Sequence, residues 1–128
     1  MKHSKKVSNL KMPTIMKNSD ILGLWHISEM EMWDKDYFNM EVRAFVRIDK
    51  GNTGAFQFGL VSGGIDGRII KSKEGYRFEF TWDGSDELDP ESGSGWFVLK
   101  NKDVIEGEFK IHLGDVSKFS ARRAKKKR

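Results

Sequence analysis

Tyr76-Arg77-Phe78-Glu79-Phe80-Thr81-Trp82 is the stretch that decides the fold. Aromatic rings stand at every second position, and Arg77, Glu79 and Thr81 fill the places between them. Side chains along a strand point alternately to its two faces, so this period of two gathers the rings on one face. A helix would scatter the same rings around its circumference.

The same alternation recurs on both sides of this segment. Upstream, Val42, Ala44, Val46 and Ile48 share one parity, with Arg43, Phe45 and Arg47 on the other. Phe56, Phe58 and Leu60 form the apolar parity of a third strand, entered through the turn Asp49 to Gly54. Ser62-Gly63-Gly64 is expected to turn the chain again before a strand over 65–71. The run 21–33 reads as a long first strand in which apolar residues change parity, so a bulge is expected within it. Downstream, 96–100 is a short strand candidate. Ile105, Phe109, Ile111 and Leu113 mark the last strand, where Gly107 relieves crowding. Seven strand candidates with short links leave little room for crossover helices. The expected class is all-β, a small antiparallel β-barrel, with a two-sheet β-sandwich as the alternative.

Charge divides the chain into three parts. Residues 1–19 contain Lys2, Lys5, Lys6, Lys11 and Lys17 with no acid, and read as a flexible basic lead-in whose Ile15 and Met16 could cover one end of a core. Residues 20–117 form the β domain and hold all 19 acidic residues against 11 basic ones. Residues 118–128 carry seven basic residues and no acid, and read as a flexible basic tail. The overall net charge of +4 therefore describes neither the domain nor its ends. A composition 38% hydrophobic and 12% aromatic supports a folded interior, and 128 residues suit one domain. With no cysteine, disulfides, thiolate chemistry and cysteine metal sites are excluded. No apolar run is long enough to form a transmembrane segment, and a soluble, cytoplasmic protein is the simplest expectation.

Gly23-Leu24-Trp25 resembles the Gly-x-Trp opening of lipocalins and related calycin barrels. That resemblance implies a calycin-like barrel whose Trp closes one end and whose interior can hold a small apolar ligand. Three further stretches, 33–37, 54–59 and 82–96, resemble an uncharacterised bacterial family with an aromatic and acidic pattern. Together the likeness covers about 21–119 and implies the extent of the fold, without an activity.

Candidate binding residues fall into four groups. The segment 83–95 concentrates Asp83, Asp86, Glu87, Asp89 and Glu91 between Trp82 and Trp96, as a loop that receives a cationic ligand would. It lacks the ordered positions of an EF-hand, so no metal site is assigned. The bland reading is an exposed acidic turn shaped by Pro90 and its glycines. Asp34, Asp36 and Tyr37 are a second candidate set, although turn carboxylates commonly bind backbone donors. Trp25 and His26 form the third, at a barrel end, with Trp25 better suited to be a structural plug than a ligand contact. His26 and His112 become neighbours if the first and last strands pair. Glu29 and Glu31 share a face, and an exposed strand face accounts for both. The fourth group is Arg122, Arg123, Lys125, Lys126, Lys127 and Arg128, whose charge would attract a polyanion. Those residues could also reach the acidic loop of the same chain.

No zinc motif, phosphate loop or activated serine is present, and no cofactor is implied. Most of the aromatic residues are expected to fill the core, though some could line a cavity. The leading expectation is a noncatalytic domain whose partner is a small molecule or a protein. An enzyme using acidic and His groups at a barrel opening is one alternative. An accessory protein with weak electrostatic binding to nucleic acid is the other. Nothing in the sequence fixes an oligomeric state.

Overall fold

Pairing between the first and last strands settles the architecture. A computed structural model describes residues 15–125. Its strands are β1 (Gly23–Met30), β2 (Phe45–Ile48), β3 (Thr53–Phe58), β4 (Val61–Ser72), β5 (Gly75–Asp86), β6 (Asp89–Asn101), β7 (Val104–Ile111) and β8 (Val116–Arg123). Each pairs antiparallel with the next, and β8 pairs with β1, closing an eight-stranded calycin-like barrel. Closure excludes the sandwich and leaves no open sheet edge. Two short helices, α1 (Asn18–Ile21) and α2 (Lys35–Phe38), lie at opposite ends of β1.

The aromatic parity of β5 faces inward as its alternation requires. Phe78, Phe80 and Trp82 are buried, opposite Phe97, Gly95 and Gly93 of β6. With Phe56, Phe58, Phe109 and Phe119 they form one continuous interior cluster, with neighbouring ring centroids 4.7–6.4 Å apart. Gly107 faces this cluster between Phe97 and Phe119, and a Cβ there would collide with the Trp96 carbonyl. The expected parity change in β1 occurs at Ser28. Trp25 and Ile27 face inward, the register shifts, and Met30 then packs opposite Phe119.

Four expectations about element limits are corrected. Residues 62–64 are not a turn; they lie inside β4, and the chain turns at Gly59-Leu60. The segment 83–95 is not a loop but the two arms of the β5–β6 hairpin, turning only at Glu87-Leu88. Residues 118–123 are not a tail but most of β8, the strand that closes the barrel. Its inward residues Ser117, Phe119 and Ala121 are mostly small, and its outward Lys118 and Arg122 meet solvent, so the apolar alternation is faint. Part of the lead-in is structured as well: Met16 is buried, Ile15 is exposed, and α1 begins at Asn18.

Both ends are covered. At the α1 end Trp25 is fully buried and its Nε1–H donates to the Ile21 carbonyl at 2.9 Å. The Arg123 guanidinium lies 4.2 Å from the Trp25 ring and donates to the carbonyls of Asp20, Leu22 and Lys102. At the α2 end Phe38 is buried, Trp33 packs 5.0 Å from Phe58, and Tyr37 covers Gly59. Gly59 has φ 59°, a backbone conformation that favours glycine, and the Tyr37 ring occupies the space a Cβ would need.

Candidate functional site

Trp96 stands on the outer face of β6, because its neighbour Phe97 takes the inward position. Register places it between Glu79 of β5 and Glu108 of β7. Its Nε1–H donates to Glu108 Oε1 at 3.3 Å, and the Arg77 guanidinium lies 4.7 Å from the ring centroid. Arg77 Nε also donates to Glu79 Oε2 at 2.8 Å. The ring, the guanidinium and two carboxylates thus hold one another on an exposed wall. Charge-assisted bonds of this kind fix side chains that would otherwise move freely.

Clefts open on both sides of this ring. The first, about 640 Å³, crosses β4 to β7 and is lined by Asp66, Arg68, Arg77, Glu79, Thr81, Ser94, Trp96, Glu108 and Lys110. Its charged side chains are of both signs, and Thr81 and Ser94 form a low polar floor. The second, about 450 Å³, crosses β6, β7, β8 and β1. There Met30, Val98 and Trp96 offer apolar surface among Glu29, Glu31, Glu106 and Lys118. A smaller cleft of about 290 Å³ lies along Ser92, Ser94, Lys110 and His112. None of the three reaches Trp25.

The ten residues expected to bind a ligand are divided among separate places. Trp25 is sealed inside the α1 end and makes no ligand surface. His26 points outward from β1, opposite Phe45 and Arg122. Burial, reinforced by the nearby Arg43 charge, pushes its pKa below the ordinary 6.5, and its Nδ1 is buried without a hydrogen-bond partner. His112 follows β7 at the other end of the barrel, so the two histidines are not neighbours. Trp82 is a core residue whose Nε1–H donates to the Lys110 carbonyl at 3.2 Å.

Asp34 is the N-cap of α2, accepting from the Tyr37 N–H at 3.0 Å, which is the structural role its turn position suggested. Asp36 is exposed on the same helix. The Tyr37 hydroxyl accepts from the Leu60 N–H, and the Leu60 carbonyl accepts from the Glu87 N–H. Tyr37 and the Asp86-Glu87-Leu88-Asp89 hairpin tip therefore share the α2 end, but Trp82 and Trp96 do not join them. Among the described residues no three of His, Asp and Glu converge as a metal site would require.

The basic set is also divided. Arg123 is spent on Trp25, on three carbonyls and on Asp103 at 3.4 Å, so it is not a free cation for a polyanion. Arg122 and Lys125 are exposed at the α1 end. That end lies a strand length from the acidic hairpin tip, about 26 Å along β8, so Lys125 does not contact the tip. Lys126, Lys127 and Arg128 lie outside the described residues. Sequence reasoning found Trp96 but missed its setting of Arg77, Glu79 and Glu108. The signal was available in the polar parity of β5, which reads as solvent-facing filler until the β5–β6 register places Trp96 beside it.

Compared with known proteins, the chain matches no family model, no curated protein and no solved structure.

Proposed function

We propose that this domain is a noncatalytic binding module that takes a segment of a partner protein on the outer wall around Trp96. The observation that carries this reading is the half-exposed Trp96–Arg77 pair, which separates two clefts on one continuous face. Tryptophan and arginine are the side chains most often responsible for interface affinity, because each combines a large contact area with a directional polar group. Here Glu79 and Glu108 hold both in place, so little side-chain freedom remains to be lost on binding.

The filled interior weighs against a ligand carried inside the barrel. Buried aromatic rings in mutual contact occupy it, and the clefts around Trp96 are lined mostly by outward-facing side chains. The mixed charges of the larger cleft suit an extended peptide bearing both acidic and basic side chains. Selection of a displayed random-peptide library on the immobilised protein tests this. Enriched peptides are expected to bind wild type and to weaken about 30-fold on Trp96→Ala, the loss typical of an interface anchor. Leu113→Ala, at the exposed turn after β7, is expected to leave affinity unchanged. Peptides that bind a folded Trp96→Ala protein as tightly as wild type would place the site elsewhere.

A further inference from the structure

The ends of the barrel differ in charge, and the α1 end is prepared for a different partner from the Trp96 wall. Three of the acids at this end are already engaged. Asp20 accepts from the Lys17 N–H at 2.8 Å, Asp49 pairs with Arg47 at 3.1 Å, and Asp103 pairs with Arg123 at 3.4 Å. The cations are not. Lys50, Lys73 and Lys102 occupy the turns after β2, β4 and β6, and Lys17, Arg122 and Lys125 complete the same end. None of these six makes an ion pair with a described carboxylate, and residues 1–14 and 126–128 contain no Asp or Glu. Glu74 at the turn after β4, and Asp66 opposite Thr53 at the entry to β3, are the described acids left to oppose them.

We propose that the α1 end is a docking face for the phosphate backbone of nucleic acid. Antiparallel closure makes this face: it brings alternate turns of the chain to one end, so lysines far apart in sequence form one charged ring. The acidic residues of the α2 end are held a strand length away, beyond the Debye length at physiological salt. The domain's net acidity therefore does not cancel the ring. Recognition is of phosphates and not of bases: of the rings at this end, Trp25 is buried beneath Arg123, and Tyr76 at the start of β5 is partly buried and packed against the core. Nucleic acid fits better than a bilayer. Among the described residues, the exposed large apolar side chains at this end are Ile15 and Leu24, whereas Met32, Met40, Leu88 and Leu113 stand at the other.

Fluorescence anisotropy of the full chain with a labelled 20-base-pair DNA duplex tests the proposal. About five neutralised phosphates give a slope near −4.5 in log affinity against log salt. Affinity then falls roughly 500-fold between 50 and 200 mM salt. The triple variant Lys50→Ala/Lys73→Ala/Lys102→Ala is expected to reduce that slope to about −1.8, and the corresponding Lys→Arg triple to restore it. Binding by duplexes of unrelated sequence is expected to be equal. The proposal is overturned if no binding occurs at 50 mM salt, or if both triples keep the wild-type slope. It is equally overturned if removal of residues 126–128 alone abolishes binding, or if phosphatidylserine vesicles bind more tightly than the duplex.

Discussion

The two ends of the barrel are closed by different physical means. At the α1 end one fully buried indole is fixed by a hydrogen bond to Ile21 and covered by a guanidinium that also satisfies three main-chain carbonyls. At the α2 end the cover is a set of rings: Trp33 against Phe58 at 5.0 Å, and Tyr37 against Trp33 at 6.1 Å. Directional bonds to fixed carbonyls admit one arrangement, whereas ring contacts can be remade after small shifts. The α1 end is thus the stiffer closure. The difference also explains the opposite surface charges. The first closure consumes acidic and main-chain acceptors and leaves lysines free, while the second consumes one carboxylate, Asp34, and leaves the hairpin acids free.

Deleting one indole from each end gives the largest contrast. Trp25→Ala removes a side chain with no exposed surface and leaves Arg123 without its ring, so a loss of about 4 kcal/mol is expected. Trp33→Ala removes a partly buried ring and is expected to cost about 2 kcal/mol. Urea denaturation of the two variants measures the gap directly. Equal losses would mean that the α2 rings form as rigid a closure as the Arg123 latch.

A smaller change isolates the latch from the ring beneath it. Arg123→Lys keeps the positive charge but cannot present a planar fork to Asp20, Leu22 and Lys102 together. A loss of about 2 kcal/mol is expected, approaching the roughly 3 kcal/mol of Arg123→Ala. Thermal melts at low and high salt separate the causes. If charge alone mattered, Lys would recover most of the stability at low salt and lose it at high salt. Hydrogen-bond geometry predicts a deficit that salt hardly changes.

These closures also show where sequence reading stops. The alternation of Tyr76 to Trp82 and of Val42, Ala44, Val46 and Ile48 was enough to place strands and, except at Val42, which is exposed ahead of β2, to choose their buried faces, because a period of two has one physical meaning. Strand β8 escaped because its inward positions include Ser117 and Ala121, which carry no strong apolar signal, and its outward residues are basic. Composition then favoured a tail over a strand. The acidic segment escaped for the converse reason: Gly84, Pro90 and Gly93 look like loop residues, yet long-range pairing with β4 and β7 extends the strands through them. Trp96 was legible as a candidate from its residue type. Its pairing with Arg77 was not, because cross-strand neighbours depend on a register that local pattern does not fix.

The smallest expected effect sharpens the electrostatic side of the comparison. His26 lies on the outer face of β1, opposite Arg122 of β8, with Arg43 close enough to act on it through charge. Burial and then Arg43 disfavour the imidazolium, so the folded protein binds a proton less readily than the unfolded chain, whose His titrates near 6.5. Above that value both states are neutral and His26 adds no pH dependence. As pH falls through 6.5 the unfolded chain takes up the proton first and gains stability, until the folded protein is protonated too. Stability is therefore present in full at pH 7.5 and declines toward pH 5. His26→Gln removes the titrating group while keeping a polar side chain of similar reach, and is expected to flatten part of that decline. Urea midpoints measured at both pH values for the two proteins decide it. An unchanged difference between pH 7.5 and pH 5 in His26→Gln would show that burial and the Arg43 charge do not act on stability through this histidine.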